Sequence, residues 1–266
     1  MPKAKVNEIE LYYEVHGPEE AEPLLLISGL GHSSKFWFRQ VPDFSKYFKT
    51  IIFDNRGVGE SGKPDEPYSI AGMAADVIGL LNHLKIDRSH VLGGSMGGYI
   101  AQEIAISYPE RVRKLVLLCT HYGGPEYLEL TGDLWKEILD VAGLSAEEIY
   151  RKGVKYSTTP GFFENQKELV ERMVRMRVEN PQPAYAFQRQ FAAAAAFYSQ
   201  DRLNKIQAPT LVLNGRKDRV VPPELARRLA EAIPNAKLEI IDNAAHLLFI
   251  ERPEEVNRAI IEFLGE

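Results

Sequence analysis

"HVLGGSMGGYIAQE", His90 to Glu103, sets a lone serine between two pairs of glycines. The β-rich run "HVLGG" leads directly into it. "GYIAQEIAISY" leads out, with Ile100, Ile104 and Ser107 at helical spacing. Gly93-Gly94-Ser95-Met96-Gly97 therefore fits a strand–turn–helix elbow, G-x-S-x-G, which raises a serine on a strained turn. Side chains two residues to either side would collide with neighbouring backbone, which accounts for Gly93 and Gly97. The helix N-terminus faces any negative charge that forms near Ser95 Oγ. No Lys-Ser or Lys-Thr closes the stretch, so it is not a Walker-type phosphate loop.

Outward from this elbow the chain alternates short apolar runs with helical patterns. The runs are "LLLIS" (24–28), "TIIFD" (50–54), "HVLGG" (90–94), "KLVLLC" (114–119), "TLVLNG" (210–215) and "KLEIID" (237–242). Most are apolar throughout, as expected of strands covered by helices on both faces. "NEIELYYEV" instead alternates, with Ile9, Leu11, Tyr13 and Val15 on one face, and reads as an antiparallel edge strand. "AGMAADVIGLLNHL", "PPELARRLAEAI" and "RPEEVNRAIIEFL" read as helices, the last two opening on proline and glutamate. The pattern predicts an α/β fold, a doubly wound and mainly parallel sheet. From about Thr120 to Gln207 the strand rhythm gives way to amphipathic segments such as "DLWKEILDVA", "KELVERMVRMRVE" and "AYAFQRQFAAAAAFYS". The expected organisation is a core of residues 1–119 and 206–266 with a helical cap, 120–205, inserted between two strands.

A second glycine-rich stretch competes for attention. "RGVGESG" contains a literal G-x-G-x-x-G, Gly57 to Gly62, after the run "TIIFD", and Asp76 lies downstream where a ribose-binding acid would. A dinucleotide site needs these glycines to open a helix, but Lys63-Pro64-Asp65-Glu66-Pro67 follows, and two such prolines oppose one. The stretch reads as a structural turn.

A serine hydroxyl is a weak nucleophile until a base takes its proton and a third group orients that base. The order expected in this architecture is Ser, acid, His. "RKDRVVPPE" after "TLVLNG" places Asp218 in a loop at the carboxyl end of its strand, and "NAAHLLFIERPEE" after "KLEIID" places His246 in the next such loop. Both fall at the sheet edge that carries Ser95, where open α/β sheets bind ligands. Asp242 and Glu126 are weaker rivals for the acid. The remaining histidines are less well placed, although His32 and His121 lie in loops at the same edge. A tetrahedral oxyanion also needs backbone donors. Those expected are the N–H of Met96 and, in "SGLGHSS", the N–H of Leu30, with Gly29 allowing close approach.

The 266 residues carry a net charge of -5, with 45% hydrophobic and 26% charged residues, ordinary for a globular protein. That charge offers no general attraction to nucleic acid. Arg172, Arg175 and Arg177 interleave with Glu168, Glu171 and Glu179 and read as a solvated helix face with ion pairs. One cysteine, Cys119, excludes an internal disulfide and any Cys-based zinc site, so no metal is expected. No apolar run approaches the ~20 residues of a membrane span, and the N-terminus lacks the apolar core of a signal peptide. The expectation is a cytoplasmic protein without a cofactor.

Taken together, "SGLGHSSKFW", "FDNRGVGESGKP", "HVLGGSMGGYIAQEIA", "PTLVLNGRKDRVVPPE" and "AAHLLFIERPEEV" make the whole chain resemble the α/β-hydrolase fold family. Within it the likeness is greatest to capped serine carboxylesterases and the 3-oxoadipate enol-lactonase group. The resemblance implies Ser95, His246 and Asp218 as nucleophile, base and acid, and Leu30 and Met96 as oxyanion amides. One departure is Ser28-Gly29 where many members have His-Gly. Serine at 95 separates the chain from haloalkane dehalogenases, which use aspartate there. The implied activity is hydrolysis of a small carboxylic ester through an acyl-enzyme. The alternatives are enol-lactone or carbon–carbon bond hydrolysis of a carboxylate-bearing substrate, which would place Arg175, Arg177 or Arg189 in the pocket, and a ligand receptor without turnover. Candidate pocket residues are Gly29, His32, Trp37, Tyr122, Trp135 and Phe191, with Phe162, Phe163 and Phe197 as further cap aromatics.

Overall fold

The computed structural model describes residues 2–266. Eight strands form one sheet: β1 (Lys3–Val6), β2 (Ile9–His16), β3 (Pro23–Ile27), β4 (Lys49–Phe53), β5 (Ser89–Gly94), β6 (Val112–Leu118), β7 (Thr210–Gly215) and β8 (Ala236–Ile241). Their spatial order is β1-β2-β4-β3-β5-β6-β7-β8. The first two strands pair antiparallel, and β2 pairs antiparallel with β4. From β4 to β8 every pairing is parallel. The alternating run "NEIELYYEV" is antiparallel as its pattern predicts, but it is not the edge. The short strand β1 covers it, a segment too brief to leave a periodic signal.

Apolar-throughout strands bury both faces. Leu25 and Ile27 of β3, with Val91 and Leu117, belong to one core cluster, whereas Leu24 and Leu26, with Leu92 and Leu118, belong to the other. The first cluster packs under α2 (Ile70–His83), α3 (Met96–Ser107) and α9 (Pro223–Ala232). The second packs under α1 (Val41–Phe44), α10 (Leu248–Glu251) and α11 (Pro253–Gly265). This alternation across a strand is the period-2 geometry of β structure applied to two covered faces.

Between β6 and β7 lie five α-helices, α4 (Pro125–Leu139), α5 (Ala146–Ser157), α6 (Pro160–Asn165), α7 (Lys167–Val178) and α8 (Ala184–Ala195), followed by a 3-10 turn at Gln200–Lys205. α5 opens with a full capping box, Ser145 with Glu148, which satisfies orphan amides at both ends of the motif. The arginine face of α7 departs from expectation in its ion pairs, although Arg172 and Arg175 are exposed as expected. None of Arg172, Arg175 and Arg177 forms an ion pair among the described residues. Glu171 pairs with Arg151 of α5 instead, Arg172 lies over the Phe38 ring, and Arg177 turns inward. Helical spacing brought the right charges to one face, but tertiary neighbours outcompeted local pairs worth only ~0.2–0.5 kcal/mol.

The chain passes from β3 out to β4 and returns across β3 to β5. The loops after β3 and β5 therefore diverge at the sheet's switch point, where a crevice opens. No helix among the described residues is long and apolar enough to cross a membrane.

Candidate active site

Ser95 sits at the tip of the β5–α3 turn with φ 53° and ψ -121°, a conformation costing on the order of 1–3 kcal/mol for a non-glycine residue. Glycines make it possible. A Cβ on Gly93 would lie 2.2 Å from the Gly97 carbonyl oxygen, and one on Gly97 would lie 2.1 Å from that of Ile27. The turn is held by Ser95 N–H donating to Leu118 O (2.9 Å) and by Thr120 Oγ1 donating to Ser95 O (2.9 Å).

Asp218 and His246 come to Ser95 from the loops after β7 and β8. Ser95 O–H faces His246 Nε2 at 3.1 Å, and His246 Nδ1 faces Asp218 Oδ2 at 2.9 Å. Asp218 is only 3% exposed, and its Oδ1 accepts the N–H groups of Val220 and Val221, both at 2.8 Å. With both carboxylate oxygens committed to donors, Nδ1 of His246 carries its proton and Nε2 is left to accept one from Ser95. Gly215 lets the two loops touch, since a Cβ there would lie 2.3 Å from Ala245 O. The rival acids are engaged elsewhere: Asp242 with Arg216, and Glu126 with Tyr122 and Arg228.

Opposite Ser95 the loop after β3 turns at Gly29–His32. His32 N–H donates to Gly29 O (3.2 Å), and Gly31 has φ +70° while Leu30 keeps a negative φ, the signature of a type II turn with glycine at its third position. Because the Gly29 carbonyl points into the turn, the Leu30 N–H on the same trans peptide points out of it. Gly29 lies against the serine, its notional Cβ 3.2 Å from Ser95 Cβ. Among the described residues neither Leu30 N–H nor Met96 N–H donates to a protein acceptor. The arrangement offers two free amides beside a serine hydroxyl.

Asp54 and Asn55, with the "RGVGESG" stretch that follows them, form the brace behind this turn. Asn55 Nδ2 donates to Ser28 O (2.9 Å), and buried Asp54 accepts Ser34 N–H (2.6 Å) and Glu60 N–H (2.8 Å), so both ends of the β3 loop are tied to it. A Cβ on Gly59 would lie 1.8 Å from Asp54 Oδ2. Asp76, the residue a nucleotide site would require, makes a bidentate pair with Arg56 (2.6 and 2.8 Å). No helix follows the glycines until Ile70.

The candidate pocket residues separate into two groups. His32 stacks on Phe36 (4.0 Å) and meets Tyr150 edge-on (6.0 Å), and burial, with Arg177 and His246 nearby, pulls its imidazole down to about 3. Trp135 and Phe191 meet edge to face (5.9 Å), Phe191 stacks on Phe187, and Trp135 Nε1 donates to Tyr127 OH (2.6 Å). Trp37 and Tyr122 are instead packed inside, at 2% and 1% exposure. Trp37 lies against Phe249 under Gly94, and the Tyr122 hydroxyl donates to Glu126. Phe197 stacks on Tyr99 (4.7 Å). Phe162 and Phe163 line two clefts, about 640 and 380 Å³, whose walls include none of Ser95, Asp218 and His246. His121 adjoins the Tyr127–Trp135 pair, stacked on Tyr127 (3.9 Å) and bonded to Tyr99. Its Nδ1 accepts Gly123 N–H (3.0 Å), and burial pulls it down to about 3, so the ring is neutral.

The helices inserted between β6 and β7, with the loops joining them, reach both sides of the site. Ser157 O accepts Leu247 N–H (2.8 Å), directly after His246. Glu251 accepts Thr159 N–H and Ala245 N–H (2.8 and 2.6 Å). On the other side Arg177, Gln182 and Gln190 reach the β3 loop. Sequence reasoning missed Gln190, although a signal was present: Ala186, Gln190 and Ala193 recur at helical spacing, which sets a glutamine on an otherwise apolar buried face.

The sheet order, the elbow and the inserted helices define one class of protein: the chain belongs to the alpha/beta hydrolase fold family, whose pattern matches residues 22–253. It is a hydrolase of that fold. Among its relatives is a protein of Azorhizobium caulinodans named "Putative carbamate hydrolase RutD", 32% identical over 267 residues, covering all of this chain and 99% of the relative. The enol-lactonase from Burkholderia xenovorans LB400 superposes with a TM-score of 0.87 at 29% identity, over 100% of both chains. A thermophilic esterase from Thermogutta terrifontis superposes at 0.85 and 30% identity, over 99% of this chain and 97% of that one.

Proposed function

We propose that the chain hydrolyses small carboxylic esters through an acyl-enzyme on Ser95, without a cofactor. The observation that carries this reading is the hydrogen-bonded row from Ser95 through His246 to Asp218, set opposite two unpartnered backbone amides. Ser95 Oγ attacks the ester carbonyl as its proton passes to His246 Nε2, and Leu30 and Met96 N–H receive the oxyanion. His246 then protonates the departing alkoxide, leaving the acyl group on Ser95. Water, deprotonated by His246, attacks the acyl carbon, and the carboxylic acid leaves as Ser95 regains its proton. The core comprises residues 1–119 and 206–266, and the cap, 120–205, shapes the acyl or alcohol pocket. Ser95→Ala tests the reading: turnover of short p-nitrophenyl esters should vanish, and undiminished turnover would sink it.

A second reading, a lactone or dienone acid as substrate, is favoured by one observation. Arg177 turns inward from α7 and donates to Gly31 O (2.7 Å) and Gln182 (3.0 Å), yet has no carboxylate partner among the described residues. Burial pulls its guanidinium below the ordinary arginine range, and His32 and Tyr150 flank it, so the corner holds donors and no acid. The other two arginines do not qualify: Arg175 is exposed and Arg189 pairs with Asp65. An anionic substrate group would relieve this imbalance. Arg177→Met should raise KM for an acid-bearing ester at least about tenfold more than for its neutral analogue, ~1.4 kcal/mol. Equal effects on the two substrates would refute this reading.

A further inference from the structure

Gln190 of the cap is fully buried, at 0% exposure, and its amide is directed at backbone on the core. Its Oε1 accepts Gly31 N–H (3.0 Å), and its Nε2 donates to Arg56 O (2.7 Å). Gln182 joins it, with Nε2 donating to Gly57 O (2.9 Å) and to Gln190 Oε1 (3.1 Å). The cap thus bonds the central peptide of the Gly29–His32 turn and, through the same side chain, the brace behind it. The inference rests on the proposal that Leu30 N–H is an oxyanion donor.

We infer that Gln190 is a positioning residue, and that seating of the cap completes the oxyanion hole. Two peptides flank Leu30. The first is oriented locally, by His32 N–H donating to Gly29 O. The second, Leu30–Gly31, is oriented by Gln190, a residue 159 positions away in sequence. Type I and type II turns differ by rotation of this central peptide, and glycine at 31 tolerates either arrangement. Without Gln190 the turn samples both. The rotation leaves the Leu30 N–H on its own peptide, but the turn loses its tie through Gln190 to Arg56 O. The turn as a whole, and the Leu30 N–H with it, then no longer keeps one position against Ser95. A donor must sit where the oxyanion forms, so the loss falls on the transition state and leaves ground-state binding alone. Opening of the cap would then dismantle the hole, which confines hydrolysis to the closed state.

The test compares Gln190→Met, which keeps the length but removes the amide, with Gln190→Glu, which keeps an acceptor for Gly31 N–H. The control is Tyr185→Phe, which removes a cap-to-core bond to Lys63 O (2.8 Å) remote from the turn. Steady-state kinetics on a p-nitrophenyl ester, the inhibition constant of an alkyl boronic acid, and that of the product acid are measured for each. For Gln190→Met, kcat should fall about 10- to 100-fold with KM within about threefold, since one displaced oxyanion donor is worth up to ~10²–10³. Boronic acid affinity should fall in parallel and product affinity should hold. Gln190→Glu keeps the Gly31 acceptor but loses the donor to Arg56 O, so it should recover only part of the loss, and Tyr185→Phe should behave as the parent. If Gln190→Met does not fold, Gln182→Ala, at a half-buried position, should show the same kcat and boronate signature in smaller measure. A change confined to KM, unchanged boronate affinity, or an equal loss in Tyr185→Phe would overturn the inference. Ser95→Ala measured alongside separates the two readings: if it retains turnover, the site itself is wrong, whereas if it is dead and Gln190→Met is normal, only the positioning role fails.

Discussion

Asp218→Asn should lock His246 in the wrong tautomer, and the geometry says why. Oδ1 accepts two backbone N–H groups, from Val220 and Val221, each at 2.8 Å, while Oδ2 faces His246 Nδ1 at 2.9 Å. An asparagine must choose which way its NH₂ points. Turning it toward Val220 and Val221 sets donor against donors and strands two buried amides, at ~1–3 kcal/mol each. The NH₂ therefore faces His246 and donates to Nδ1, which moves the ring proton to Nε2. Nε2 then donates to Ser95 and no longer accepts from it. Loss of the base in this way should lower kcat about 10⁴-fold, or ~5.4 kcal/mol at 1.36 kcal/mol per decade. The assay is kcat on a p-nitrophenyl ester, with thermal unfolding alongside. Both backbone bonds survive the change, so the melting temperature should move by only a few degrees. Asp242→Asn is the control: its carboxylate is 68% exposed and bound to Arg216, so kcat should stay within about twofold of the parent. Asp218→Asn retaining more than about a hundredth of parental kcat, against the expected 10⁴-fold loss, would refute the argument.

Two further outcomes concern stability. Gly97→Ala would place a methyl 2.1 Å from the Ile27 carbonyl oxygen, which no rotamer relieves, so a loss of at least ~3 kcal/mol or insoluble expression is expected. A Gly97→Ala chain with parental urea midpoint would contradict the reading of the elbow. His121 is neutral and buried, held at about 3 against ~6.5 in an unfolded chain. Its folded value is depressed, so between pH 6.5 and 3 the unfolded state takes up a proton that the folded state refuses. Stability therefore falls on acidification, by ~1.36 kcal/mol per pH unit from this group. Urea titrations from pH 7 to 4 should show His121→Asn with a shallower acid limb by about one proton, and identical slopes would count against it.

Much of this architecture was legible from short-range chemistry. Uniformly apolar runs announced strands covered on both faces, and the glycines at 93 and 97 announced a turn in which any side chain would strike backbone. The prolines after "RGVGESG" argued against a helix there, and the chain forms none before Ile70. The order of Ser95, Asp218 and His246 followed from loops at one sheet edge, and the fold brings the three side chains into a single row. The strands and turns depend on steric rules that act within a few residues, and the order of the three on the topological rule that parallel strands carry their loops to one edge.

Other features depended on which surface meets which. The edge strand was misplaced because β1, four residues long, carries no pattern of its own. Arg172 and Arg175 of α7 are exposed as their spacing predicts, but periodicity reports a helical face and not its neighbours. The expected ion pairs therefore do not form among the described residues, and Arg177 turns inward. Phe38 took Arg172, and the Gly31 carbonyl took Arg177. Trp37 and Tyr122 share the composition of pocket residues, yet packing placed them in the core. "RGVGESG" read as a turn from sequence, but its work as a brace required Asp54 and Asn55 to meet the β3 loop. By itself the sequence determined the sheet, the strained serine and the order of its partners, because local sterics and connectivity allow few alternatives. Only the tertiary structure decided that Gln190 grips Gly31, because a bond across 159 residues depends on how α8 is seated against the β3 loop.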